Sequence, residues 1–117
     1  MSFKFERLKV WQQSLALSVR VHDLTRGFPK EETYVLASQM KRAADSVALN
    51  VAEGSTGQTN AEFKQFLGYA IRSALEVVAC LHLGKRRCLV TVDQFHALYR
   101  EAETLVRMLQ ALRNSLS

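Results

Sequence analysis

The run Gln39-Met-Lys-Arg-Ala-Ala-Asp-Ser-Val-Ala-Leu-Asn-Val-Ala-Glu-Gly54 constrains the fold more than any other stretch of the chain. At about 100° per residue, Leu36, Met40, Ala43, Val47 and Val51 fall within about 80° of one another and form a core-facing seam. Gln39, Arg42, Ser46, Asn50 and Glu53 cluster about 110° away on a second stripe. A solvated helix face is ordinarily filled with Lys and Glu, whereas this stripe is mostly amide and hydroxyl with one charge of each sign. Such a face suits hydrogen bonding across a helix contact. The run predicts a helix with a buried seam and, beside it, a polar contact.

Three further stretches keep the helical period. Phe5 to Arg26 carries two apolar lines, Leu8, Trp11, Leu15 and Val19 on one and Val10, Leu17, Val21 and Leu24 on the other. Gly27-Phe28-Pro29 breaks it, and the second helix is expected from Lys30 to Glu53 with Glu31 and Glu32 in its first turn, where the helix dipole favours acids. Gly54 is expected to end it. Thr59 and Glu62 form a T-x-x-E capping box opening a third helix that runs to Arg86 through Gly68, a residue suited to close approach of a neighbouring helix. Thr91 and Gln94 open a fourth, carrying Phe95, Leu98, Ala102, Leu105 and Leu109. Four amphipathic helices with short connections predict an all-α, antiparallel up-down-up-down four-helix bundle.

With 117 residues the chain reads as a single domain over 1–117. A hydrophobic share of 48% against 23% charged residues excludes a disordered chain. The first residues lack the apolar core of a secretory leader, and no stretch holds the roughly 18 uninterrupted apolar residues of a membrane span. A cytoplasmic protein with no membrane partner is expected. The apolar faces are nonetheless wider than a bundle helix needs, on the first helix and again between Ser73 and Gly84. Surplus apolar surface points to a second copy of the chain, hence a homo-oligomer.

Chemistry-bearing constellations are few. Cys80 and Cys88 lie about 12 Å apart along one helix, too far for a disulfide. With His82 they point in different directions and lack the paired spacing of a zinc site, so no metal and no cofactor are expected. No nucleophile and base, and no pair of carboxylates, is placed to converge, and Gly54-Ser-Thr-Gly57 lacks the Lys of a phosphate-binding loop. The chain reads as no enzyme. Folding the second and third helices as a hairpin brings Gln39, Arg42, Ser46, Asn50 and Glu53 opposite Ser73 and Glu76. An Arg42 to Glu76 ion pair, extended by Gln39 and Ser73, is expected there, either fixing helix register or forming a binding surface.

The formal charge of +5 is uneven: residues 1–30 carry +4, residues 31–63 carry −3, and the remainder carries +4. Lys85, Arg86 and Arg87 end the third helix, and Arg100 and Arg107 recur along the fourth. These five are the candidate phosphate contacts for RNA or DNA, although cations at a helix C-terminus also suit the dipole without any ligand.

Taken together, Leu8-Lys-Val-Trp11, Phe28-Pro-Lys-Glu-Glu-Thr-Tyr34, Gln39, Arg42-Ala-Ala, Ser46, Asn50-Val-Ala-Glu-Gly54, Glu62-Phe, Phe66-Leu and Ser73-x-x-Glu76 are specific. On these residues the chain resembles the four-helix-bundle proteins encoded by intervening sequences within bacterial 23S rRNA genes. That family looks related to the accessory proteins of diversity-generating retroelements, pentameric barrels that interact with nucleic acid and a reverse transcriptase. The resemblance implies a homopentamer and brings no catalytic residues with it. Arg72 departs from the Gly that often precedes the Ser in this family. Two functions are left standing: nucleic-acid binding through the basic surfaces, and a scaffold that recruits a partner enzyme without touching nucleic acid.

Overall fold

The computed structural model describes residues 2–116. Four helices, α1 (Lys9–Arg26), α2 (Leu36–Ser55), α3 (Asn60–Arg86) and α4 (Val92–Ser115), pack in a ring, each on its neighbours in the chain and α1 on α4. The short connections between them make each helix antiparallel to the next. Val10, Leu17 and Val21 of α1 meet Met40, Val47 and Val51 of α2, Leu67, Val77 and Leu81 of α3, and Leu98, Leu105 and Leu109 of α4 in one continuous core. Burial of each such side chain contributes about 1.5–3 kcal/mol. Across the α1–α4 seam, Arg20 Nε donates to Glu101 at 2.8 Å.

The second apolar line of α1 divides. Leu8 and Trp11 pack against the core, whereas Leu15 and Val19 face solvent. On α3, Leu75 and Leu83 are likewise exposed, as is Leu49 on α2. By length and composition α3 is apolar enough to cross a membrane, with a mean hydropathy of 1.4, yet its Phe63, Leu67, Ala70, Ala74 and Val77 lie inside the bundle.

Both early helix starts differ from the sequence expectation. Lys4–Arg7 forms a separate 3-10 turn, closed by extended backbone at Leu8, because Phe5 folds back to meet Trp11 edge-on at 4.9 Å. Lys30–Glu32 is another 3-10 turn, and α2 begins only at Leu36 after non-helical backbone at Val35. Glu31 and Glu32 therefore do not cap α2. Glu32 instead reaches the end of α3, where Arg87 stands 3.6 Å from its carboxylate.

Gly54 does not terminate α2, which runs one residue further. It lies buried where α2 and α3 come together, and a Cβ there would stand 2.5 Å from Phe66 Cβ. Gly68, expected to admit a neighbouring helix, faces the flexible Arg113 guanidinium of α4, which a Cβ there would meet at 3.6 Å. The Thr91 box forms in both directions. At Thr59 only half of it forms: the hydroxyl accepts the Glu62 N–H at 3.1 Å, while the Glu62 carboxylate turns to Gln58 N–H at 3.4 Å.

Candidate functional site

The polar stripe of α2 lies along the α2–α3 seam. Ser73 donates its hydroxyl to Ser46 Oγ at 2.9 Å, and Asn50 Nδ2 donates to the Ser46 carbonyl and hydroxyl at 2.8 and 2.9 Å. Three residues thus share one small network, in which the Ser73 to Ser46 bond crosses from α3 to α2. Two turns toward the N-terminus of α2, Gln39 Nε2 donates to Glu76 at 3.4 Å. The expected Arg42 to Glu76 ion pair does not form among the described residues. Gln39 holds the carboxylate, and Arg42 turns back along its own helix to Ser38 Oγ at 3.4 Å. Glu53 stays exposed beyond the network, its backbone carbonyl accepting the Thr56 hydroxyl at 2.8 Å.

Two open hollows line this seam and share Glu76. One, about 530 Å³, lies between Tyr34, Val35, Ser38, Gln39 and Arg42; the other, about 390 Å³, between Ser46, Asn50, Tyr69, Arg72 and Ser73. Below them Cys80 is buried, and burial together with the Glu76 carboxylate pushes its thiol up from the usual value. Cys80 is therefore a neutral packing group. Cys88 is exposed, just past the end of α3.

At the other candidate surface, Lys85, Arg86 and Arg87 cluster where α3 ends, with Arg100 about two turns into α4. Lys85 Nζ sits 4.6 Å above the Phe95 ring, Arg87 faces Glu32, and Arg86 and Arg100 are exposed. Arg107 lies about 10 Å further along α4 than Arg100 and is balanced by Glu103 at 3.5 Å. Three of the five cations thus sit together at the end of α3, Arg100 stands about one turn beyond His96 on α4, and Arg107 lies about two turns further. Sequence reasoning missed what lies among them: His82, Phe95, His96 and Tyr99 form one ring cluster, with His82 and Phe95 centroids 4.9 Å apart. The available signal was the Phe95-His96-x-x-Tyr99 spacing, which puts all three rings on neighbouring positions of one helix.

The sequence profile of the 23S rRNA-intervening sequence proteins matches residues 6–111. The chain belongs to this family. A crystal structure of a protein of unknown function from the S23 ribosomal protein family of Bacteroides thetaiotaomicron is similar to it, with a TM-score of 0.84 and 24% identity over 91% of this chain and 96% of that one. At that identity the likeness is one of fold. Comparison with curated proteins returns no match.

In this member of the family a further polar cluster lies outside these surfaces, between α1 and α2. Asp45 accepts from Ser18 Oγ and meets His22 Nε2 at 3.1 Å, joining α1 to α2. The carboxylate stands between hydroxyl and imidazole, so the imidazole is not placed to take the serine proton as a general base does. No group of three metal-ligating side chains gathers among the described residues.

Proposed function

We propose that the protein is a non-enzymatic, homo-oligomeric bundle that binds RNA or DNA through the basic end formed by Lys85, Arg86, Arg87 and Arg100. The separation of its surfaces carries this reading. Leu49 is exposed on the outer side of α2 and Leu83 shares a face of α3 with Glu76, toward α2, while Lys85 turns to Phe95 of α4 and Arg86 and Arg100 are exposed. An apolar face suits a second copy, and a separate cationic face stays open to a polyanion. Repetition of that face around an oligomer, a pentamer by family resemblance, multiplies a modest patch into a polyvalent one. Two free thiols fit the reducing cytoplasm.

A second reading, a scaffold that recruits a partner protein, is favoured by one observation. Tyr34, 92% exposed, stands at the mouth of the larger α2–α3 hollow beside exposed Val35. Light scattering of the untagged protein with and without a structured RNA, at low and moderate salt, separates the two. A multiple of the 13.2 kDa protomer that gains mass with RNA only at low salt is the expected result. An oligomer indifferent to RNA at every salt sinks nucleic-acid binding in favour of the scaffold, and a monomer sinks the assembly.

A further inference from the structure

We propose that the α3–α4 seam beside Lys85 receives unpaired nucleotides, whose bases stack on Tyr99, His82 and His96 while Lys85, Arg86 and Arg100 meet the phosphates. The inference rests on the nucleic-acid reading above and narrows it to single strands. Phe95, buried, is the hub: His82, Tyr99 and His96 stand around it at 4.9, 5.5 and 5.7 Å between ring centroids, and His82 and Tyr99 meet perpendicularly at 6.3 Å. The hub fixes the rings, yet all three outer ones reach solvent, Tyr99 with 36% of its surface. Among the described residues, none of the three commits a ring nitrogen or hydroxyl to a protein hydrogen bond.

Exposed rings at a bundle surface are ordinarily isolated; here they adjoin cations. Lys85 already lies against Phe95, and neither Arg86 nor Arg100 has a carboxylate within 4.0 Å among the described residues. The neighbouring acids are engaged elsewhere, Glu32 with Arg87, Glu103 with Arg107 and Glu101 with Arg20, leaving Asp93 as the one acid of the first α4 turn. Cations interleaved with π-faces make the combination by which single strands are held: charge follows the backbone, and every base has a face to stack. A duplex hides those faces, so the rings add affinity only when the bases are unpaired.

The test is fluorescence anisotropy with a labelled 12-nucleotide single-stranded RNA and with the 12-base-pair duplex of the same sequence. Wild type, Tyr99→Leu, His82→Ala and the double variant Arg86→Ala, Arg100→Ala are compared, each checked for helicity. Leu keeps the apolar volume of the seam and removes the ring. Tyr99→Leu is expected to weaken the single strand roughly fivefold to a hundredfold and leave the duplex unchanged. His82→Ala reads the same effect independently, should Tyr99→Leu fail to fold. The Arg variant is expected to weaken both ligands and flatten their salt dependence. Equal binding of both ligands, untouched by either ring variant, overturns the stacking proposal while polyanion binding stands. No binding to either ligand at low salt overturns the nucleic-acid reading itself. A changed oligomeric mass in Tyr99→Leu assigns the seam to a second copy and overturns the proposal as well.

Discussion

Gly54 and Gly68 show how one residue type serves opposite ends in adjoining helices. At Gly54 a Cβ would meet Phe66 Cβ at 2.5 Å, a backbone-anchored atom that cannot swing aside, so α2 and α3 must separate to admit it. Gly54→Ala is expected to destabilise by about 2 kcal/mol, the gain in helix propensity being smaller than the overpacking. Gly68→Ala meets only the flexible end of Arg113 at 3.6 Å and is expected to stabilise by roughly 0.5–1 kcal/mol. Urea midpoints at one protein concentration, with unchanged slopes, give both signs. Glu101 provides a different kind of test. Burial holds its carboxyl above the ordinary 4.5, and Arg20 offsets only part of that. The folded protein therefore keeps a proton that the unfolded chain has released, so this group's contribution is complete below 4.5 and is lost as pH rises through the raised folded value. Glu101→Gln keeps a hydrogen-bond acceptor for Arg20 without the proton. Its stability is expected to gain on wild type as pH rises from 4.5 through the raised folded value, read from urea midpoints along that rise. A constant difference between the two would show that the proton is not held.

At the scale of the element, the caps rank the helices. Thr91 satisfies the Gln94 N–H and receives the Gln94 side chain on its own N–H, at 3.1 and 2.9 Å, whereas Thr59 makes only the first of these bonds. Thr91→Ala is expected to cost about 1 kcal/mol and Thr59→Ala less, with amide exchange at Gln94 accelerating in the former. These caps were legible because they depend on residues three apart, as were the spans of α3 and α4, whose period is uninterrupted from cap to end. The delayed starts of α1 and α2 were not. Their causes, the Phe5 ring against Trp11 and Glu32 against Arg87, lie in contacts that no local pattern records. The polar stripe divides on the same principle. Its placement opposite Ser73 and Glu76 follows from helix geometry, but whether Arg42 or Gln39 takes the Glu76 carboxylate depends on which side chain reaches it, and Gln39 does. The ring cluster beside Lys85 was hidden for a similar reason: His82 joins it from α3, one helix away from the Phe95-His96-x-x-Tyr99 spacing.

For the whole molecule, the exposed leucines make the assembly accountable to one change. On the proposed oligomer, Leu49→Asp places a charge on the outer face of α2, where the wild-type side chain is 67% exposed and bears little of the core. Scattering mass is expected to fall to that of the protomer with helicity retained; an unchanged mass would move the interface elsewhere. The ring order of the helices has a consequence for how the chain unfolds. The α1–α2, α2–α3 and α3–α4 seams each join neighbours in sequence, and only the α1–α4 seam, with its Arg20 to Glu101 bond, joins helices from opposite ends of the chain. Closing it encloses the chain from α1 to α4, at a loop entropy that grows only slowly with the length enclosed. That seam is the latch of the domain. With it open, the hairpins can be lost one after another; with it shut, loss of any one breaks the ring, and the four helices melt together.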